Sequence, residues 1–170
     1  MVRYASMFTA ISGATSYDAL RLDYQQALDD PSIASVIFNF DTPGGAVSGV
    51  DELAKAIFDG RSQKPTVAYV GGSCASAGYW LASQTSEIII SETAILGSIG
   101  VRASIKDTSS ADKEAGIHEF ISSQSPGKRT DISTDEGRAE VQNLVDALAD
   151  VFISTVANGR GVTPETVIAS

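Results

Sequence analysis

A chain of 170 residues has the length of one domain and enough mass to bury a core. With 43% hydrophobic and 19% charged residues, its composition is that of a globular protein and excludes a disordered or fibrous chain. The net charge of −9, with a pI near 4.4, sets up a field that repels phosphate, so nucleic acid is not an expected partner.

No apolar run approaches the roughly 18–20 residues that cross a bilayer, so no membrane span is expected. The opening MVRYASMFTA lacks the basic end and apolar middle of a secretion signal. A single cysteine rules out an internal disulfide and leaves a structural zinc site short of soft ligands.

In chain order, residues 16–29 place Leu20, Tyr24, Ala27 and Leu28 at helical spacing behind a Ser cap, and Pro31 ends that helix. Residues 32–40, SIASVIFNF, read as a buried strand bounded by the turn cluster DTPGG. Residues 47–60 read as a second helix stopped by Gly60, and 64–72 as a short strand ending in two glycines. ASAGYWLASQ predicts a helix and SEIIIS a strand; LGSIG (96–100) predicts a break.

The second half of SIKDTSSADKEAG is helix-like, 117–123 strand-like, and QSPGKRTD a loop. The longest amphipathic pattern follows, with Val141, Leu144, Val145, Leu148, Val151, Phe152 and Val156 on one stripe. A last helix starts at Thr163–Pro164, the threonine as cap and the proline in the first turn. Strands alternating with helices through short connections predict βαβ units around a parallel sheet. Glycine-rich turns close three of the strands, at 43–45, 71–72 and 97–100, and in such sheets ligands bind beyond the carboxyl ends of the strands.

The stretch GGSCASAGYW (71–80) offers Ser73, Cys74 and Ser76 as nucleophiles among small residues. A cysteine nucleophile needs a lowered pKa, usually from a histidine, and the only histidine is His118; Cys74 therefore reads first as a small core residue. A Ser-His-Asp triad meets the same scarcity. Ser76 sits between a strand and a helix, where its own amide and that of Ala77 could meet a developing oxyanion. The competing reading is a simple helix cap. The sequence also departs from a G-x-S-x-G elbow, since position 74 is Cys. D-T-P-G-G (41–45) either completes an oxyanion hole with bare amides or is a plain β-to-α turn.

A base must then be found without histidine. A lysine serves if neutral, which asks its pKa to fall by about 3 units from 10.4, at roughly 4 kcal/mol. Lys128, in the small-residue turn SPGKRTD beside Arg129, is one candidate. Lys55 and Lys64 look like ordinary solvated lysines, and Lys106 and Lys113 lie in a polar stretch.

D-T-P-G-G, C-A-S-A-G-Y-W and L-G-S-I-G-V, in that order and spacing, resemble the signature of the signal peptide peptidase A family of serine peptidases, and most closely its tailed-phage prohead (capsid maturation) proteases. The resemblance runs from MFTAISGATSYDAL through GRGVTPETV. It implies an α/β fold of the ClpP/crotonase type, a repeated β-β-α superhelix with a mainly parallel sheet and flanking helices, as a single peptidase domain over 1–170. It also implies that Ser76 is the nucleophile and Lys128 the base, with Gly45 and Ala77 as oxyanion donors. Gly44, Gly97 and Ser98 would line the substrate site, and Ser98 could orient Lys128.

The implied activity is endopeptidase cleavage through an acyl-enzyme, without metal or cofactor. A protein or peptide would be the substrate, in phage capsid or scaffold maturation or in signal-peptide-peptidase-like cleavage. A homo-oligomer would be the assembly and the cytoplasm the setting, being the host cytoplasm or a virion precursor if the chain is phage-encoded. A non-catalytic capsid assembly module and a crotonase-type acyl-CoA enzyme, for which Asp41 is the one acid within the turns, are the alternatives. Many members carry two glycines after the nucleophile where this chain has Ala77 and then Gly78. Family domains usually have extra strands before a segment like SMFTAISG and more chain after GVTPETV, so the chain is expected to be trimmed at both ends.

Overall fold

The computed structural model describes residues 1–3 and 15–169; the segment 7–14 that opens the resemblance lies outside them. The described residues form two compact units, Met1–Gly100 with Asp150–Ser170, and Val101–Ala149.

In the first unit, helix α1 (Tyr17–Asp29) starts at Ser16, whose hydroxyl accepts the Ala19 amide as the cap position requires. Strand β1 covers Val36–Thr42, helix α2 Val50–Gly60, and strand β2 Thr66–Ala75. The short helix α3 (Ala77–Ala82) and strands β3 (Glu87–Ile90) and β4 (Ile95–Gly97) follow. Among the described residues the sheet is parallel throughout: β2 lies between β1 and β3, and β4 pairs with the last residues of β2. This is the expected α/β arrangement, a parallel sheet with flanking helices.

Its covered face carries Phe38 and Phe40 from β1 and Ala68, Val70 and Cys74 from β2, all buried against Val50, Leu53, Ala54 and Ile57 of α2 and Trp80 and Leu81 of α3. Tyr24 packs on Phe38 with ring centroids 5.2 Å apart. Helix α5 (Asp135–Arg160) lends this unit its last turns, where Phe152 stacks on Trp80 at 4.4 Å. Helix α6 (Pro164–Ile168) closes it with Thr163 as cap, and Val167 is buried.

Several boundaries move for local reasons. The first strand begins at Val36 because Asp30 folds Ser32 and Ile33 into a turn through bonds of 2.8 and 3.1 Å. Gly71 and Gly72 are inside β2, which runs past an irregularity in its register with β1 between Phe40 and Thr42. Gly60 belongs to α2, which Arg61 caps. Lys64 is no solvated lysine: its Nζ donates to the Ala27 and Asp30 carbonyls at 2.7 and 2.5 Å, the free end of α1.

The second unit has helix α4 (Ser109–Glu114), a 3-10 turn at Pro126–Lys128, and the first turns of α5. Residues 117–123 are not a strand: no neighbour among the described residues pairs with them, and Phe120 is 93% exposed. The apolar stripe of α5 is buried at Phe152 and Val156, whereas Leu144 and Val151 are exposed. No helix among the described residues is long and apolar enough to cross a membrane.

Candidate active site

Register brings three strand ends together. Thr42 of β1 stands opposite Cys74, and Gly97 of β4 opposite Ala75, so the turns after β1, β2 and β4 open at one edge of the sheet. The glycine-rich turns at 43–45 and 97–100 therefore meet the stretch holding Ser76, at the carboxyl ends of parallel strands.

Ser76 is the pivot. Its backbone sits at φ 52°, ψ −123°, a conformation rarely held by residues other than glycine and costing about 1–3 kcal/mol. Its amide donates to the Gly97 carbonyl at 2.8 Å, which continues the β2–β4 ladder by one bond and holds the serine in that turn. The Ser76 side chain caps no amide of α3, against the plain cap reading. Among non-glycine described residues only Ser76 and Ser98, at φ 55°, have positive φ, and both belong to this edge. Strain of this kind gathers where surrounding structure enforces it.

The sequence suggested Ser76's own amide as an oxyanion donor; the structure engages that amide with Gly97 instead. Ala77, the first residue of α3, keeps the orphan N–H of a helix start.

The turn after β1 comes equally close. Gly44 has φ 121°, and a Cβ placed there would stand 2.8 Å from Ser76 Cβ and 3.2 Å from Ser76 Oγ. Only glycine therefore lets the turn lie against the serine. At Gly45 a Cβ would come within 2.7 Å of both the Met1 nitrogen and the Tyr17 hydroxyl, so this position too is closed to side chains.

Gly97 and Ser98, whose turn holds the Ser76 amide, also line a cavity of about 550 Å³. Gly97 and Ser98 form one wall, with Tyr79, Leu96, Ile99 and Ile153 among its apolar lining. A small or apolar side chain suits that lining.

Ser73 is half-buried, and its amide donates to Asp41 at 3.2 Å. Cys74 is fully buried, and burial pushes its thiol up to about 12, so it presents no thiolate for attack. With its thiol buried and held protonated, the folded protein is expected to leave iodoacetamide unreacted until denaturant exposes the thiol. Rapid stoichiometric alkylation of the native protein would contradict this placement. His118 is exposed in the second unit, in a stretch whose Glu119 pairs with Arg129 at 2.6 Å.

Lys128 also belongs to the second unit. It is exposed at the end of the 3-10 turn, with its amide donating to the Ser125 carbonyl at 3.0 Å. Ser76, Ala77, Gly44, Gly45, Gly97 and Ser98 thus share one edge of the first unit.

The sequence reading missed Tyr17 and Thr42 near this edge. Thr42 stands inside the quoted D-T-P-G-G, whereas Tyr17 lies 29 residues from the carbonyl it bonds, and no periodicity signals such a contact.

Comparison with known proteins places residues 59–169 within the model of "Peptidase family S49". The chain is 30% identical over 161 residues to the "Capsid assembly protease C" of Escherichia phage lambda, covering 92% of this chain and 37% of that protein. It is 29% identical to the "Protease 4" of Salmonella typhi, covering 91% of this chain and 26% of that one. The chain thus spans about a third of the length of these relatives. Among solved structures, an enoyl-CoA hydratase/isomerase family protein from Silicibacter pomeroyi is 15% identical with a TM-score of 0.36, covering 90% of this chain and 82% of that one, a likeness too remote to bear on function.

Proposed function

The chain belongs to peptidase family S49, the family whose signature its three motifs resemble, and from this premise we propose that it is a serine endopeptidase working through a Ser76–Lys128 dyad. The observation that carries the proposal is the strained Ser76, held between the Gly44–Gly45 turn and the Gly97–Ser98 turn with its hydroxyl not used as a cap.

The neutral amine of Lys128 takes the Ser76 proton as Oγ attacks the peptide carbonyl. The Gly45 and Ala77 amides receive the oxyanion, where each donor is worth about 3–4 kcal/mol of transition-state stabilisation. The protonated amine of Lys128 then gives its proton to the leaving nitrogen. Water, deprotonated by the same amine, releases the acyl group and restores Ser76. None of these steps calls for a metal or an organic cofactor.

The substrate lies extended at the strand ends, with a small or apolar side chain in the cavity beside Gly97 and Ser98. Its likeness to a capsid assembly protease and to a Protease 4 supports a role in phage capsid maturation or in Protease 4-like cleavage. In the capsid setting the host cytoplasm or the virion precursor is the site of action. A homo-oligomer is the working form, and serine and lysine are supplied within one chain or from neighbouring copies.

A fluorophosphonate probe tests the function. The intact protein is expected to be labelled at Ser76 and to cleave casein or a prohead protein, with both signals lost in Ser76→Ala. A folded protein that neither labels nor cleaves would leave a non-catalytic assembly role or an acyl-CoA enzyme.

A further inference from the structure

The Gly45 amide is useful only if its turn stays put, and the turn is held from three sides. The Thr42 hydroxyl accepts the Gly44 amide at 3.1 Å and lies 3.1 Å from the Gly44 carbonyl, to which it can also donate. The Met1 nitrogen donates to the same carbonyl at 2.9 Å, and the Met1 carbonyl accepts the Ala46 amide at 3.1 Å. The Tyr17 hydroxyl donates to the Ala46 carbonyl at 2.9 Å. The polar groups of Gly44 and Ala46, on both sides of Gly45, are therefore tied down, while the Gly45 amide between them has no hydrogen-bond partner among the described residues.

Tyr17 suits the task. It is the first residue of α1 and only 1% exposed, so its ring cannot swing without opening the core. Its hydroxyl reaches from the covered face of the sheet to the turn that touches Ser76 through Gly44. Burial also holds the phenol protonated, with its pKa raised to about 12, so it stays a donor throughout the range in which a peptidase works.

Resting on the peptidase reading above, we propose that Tyr17, together with Thr42, is a positioning residue that presets the Gly45 amide for the oxyanion. The role is indirect, because neither side chain touches the reacting atoms. It acts on the transition state and leaves ground-state substrate binding alone, so the two are separable kinetically.

The test compares wild type, Tyr17→Phe, Thr42→Val and Ser76→Ala in the intact protein. Readouts are kcat and KM on a peptide substrate, the Ki of a peptide aldehyde whose serine adduct places an oxyanion in the hole, and the Ki of the matching peptide alcohol. Tyr17→Phe is expected to lower kcat by about 10–100-fold and to weaken the aldehyde by a similar factor. KM and the alcohol Ki should stay within about twofold of wild type.

If Tyr17→Phe proves poorly folded by its melting curve, Thr42→Val is read by the same split. Wild-type kcat and aldehyde affinity in a folded Tyr17→Phe, with Ser76→Ala dead, would overturn the positioning role alone. A parallel loss of aldehyde and alcohol binding would overturn it as well, since that marks general damage to the site. An active Ser76→Ala would instead bring down the peptidase reading, and this inference with it.

Discussion

Ser76→Ala is expected to lower peptide cleavage by about 10⁴-fold or more while leaving the protein folded. The size follows from the chemistry, because without Oγ no acyl-enzyme forms, and what survives is the modest assistance of an oxyanion hole to water. The fold should tolerate the change. Ser76 is half-buried, its hydroxyl caps no helix, and the bond that holds its turn is made by the backbone amide to Gly97. Alanine at φ 52° is strained as serine is, so the melting temperature should move little. A quantitative cleavage assay beside a thermal melt checks both halves, and retention of activity would show that another group attacks.

Lys128→Ala and Lys128→Arg should each lower cleavage by about 10²–10⁴-fold. Alanine removes the amine, and arginine keeps the positive charge on a group that stays protonated in proteins. Equal loss in the two therefore separates proton transfer from simple charge. Lys106→Ala and Lys113→Ala serve as controls, expected at near wild-type rates. Mixing inactive Ser76→Ala chains with inactive Lys128→Ala chains reports the geometry of the dyad: recovered activity shows that serine and lysine come from different copies, and none shows that they share one.

Much of the fold was legible because the physics behind it is local. The Ser16 and Thr163 caps and the apolar faces of α1 and α2 are each written within a dozen residues. Parallel strands were readable from alternation with helices. Where the reading failed, the deciding partner lay elsewhere in the chain. Residues 117–123 have a strand's composition but no described strand beside them, and composition cannot supply a neighbour. Gly71 and Gly72 look like a turn, yet β2 carries them through because β1 and β4 pair on either side of its last residues. Lys64 looks solvated until α1 is seen to end its carbonyls on it.

The candidate site divides in the same way. Small residues around Ser76 and glycines after the strands announce a place where backbones approach closely, and they do so at Gly44 and Gly45. Whether the serine caps a helix could not be read from its neighbours; the absence of any bond from its side chain to an α3 amide decided that. The role of Lys128 came from the family resemblance, since nothing in the turn S-P-G-K-R-T-D separates a base from an exposed lysine. Tyr17 was invisible because its contact spans 29 residues.

The most direct measurement is the separation of Ser76 Oγ and Lys128 Nζ in a crystal structure of the active assembly. A dyad demands that the two atoms lie about 2.6–3.2 Å apart, or joined through one water, within a chain or across a subunit contact. An assembly that cleaves its substrate with every Lys128 amine far from every Ser76 hydroxyl would contradict the mechanism.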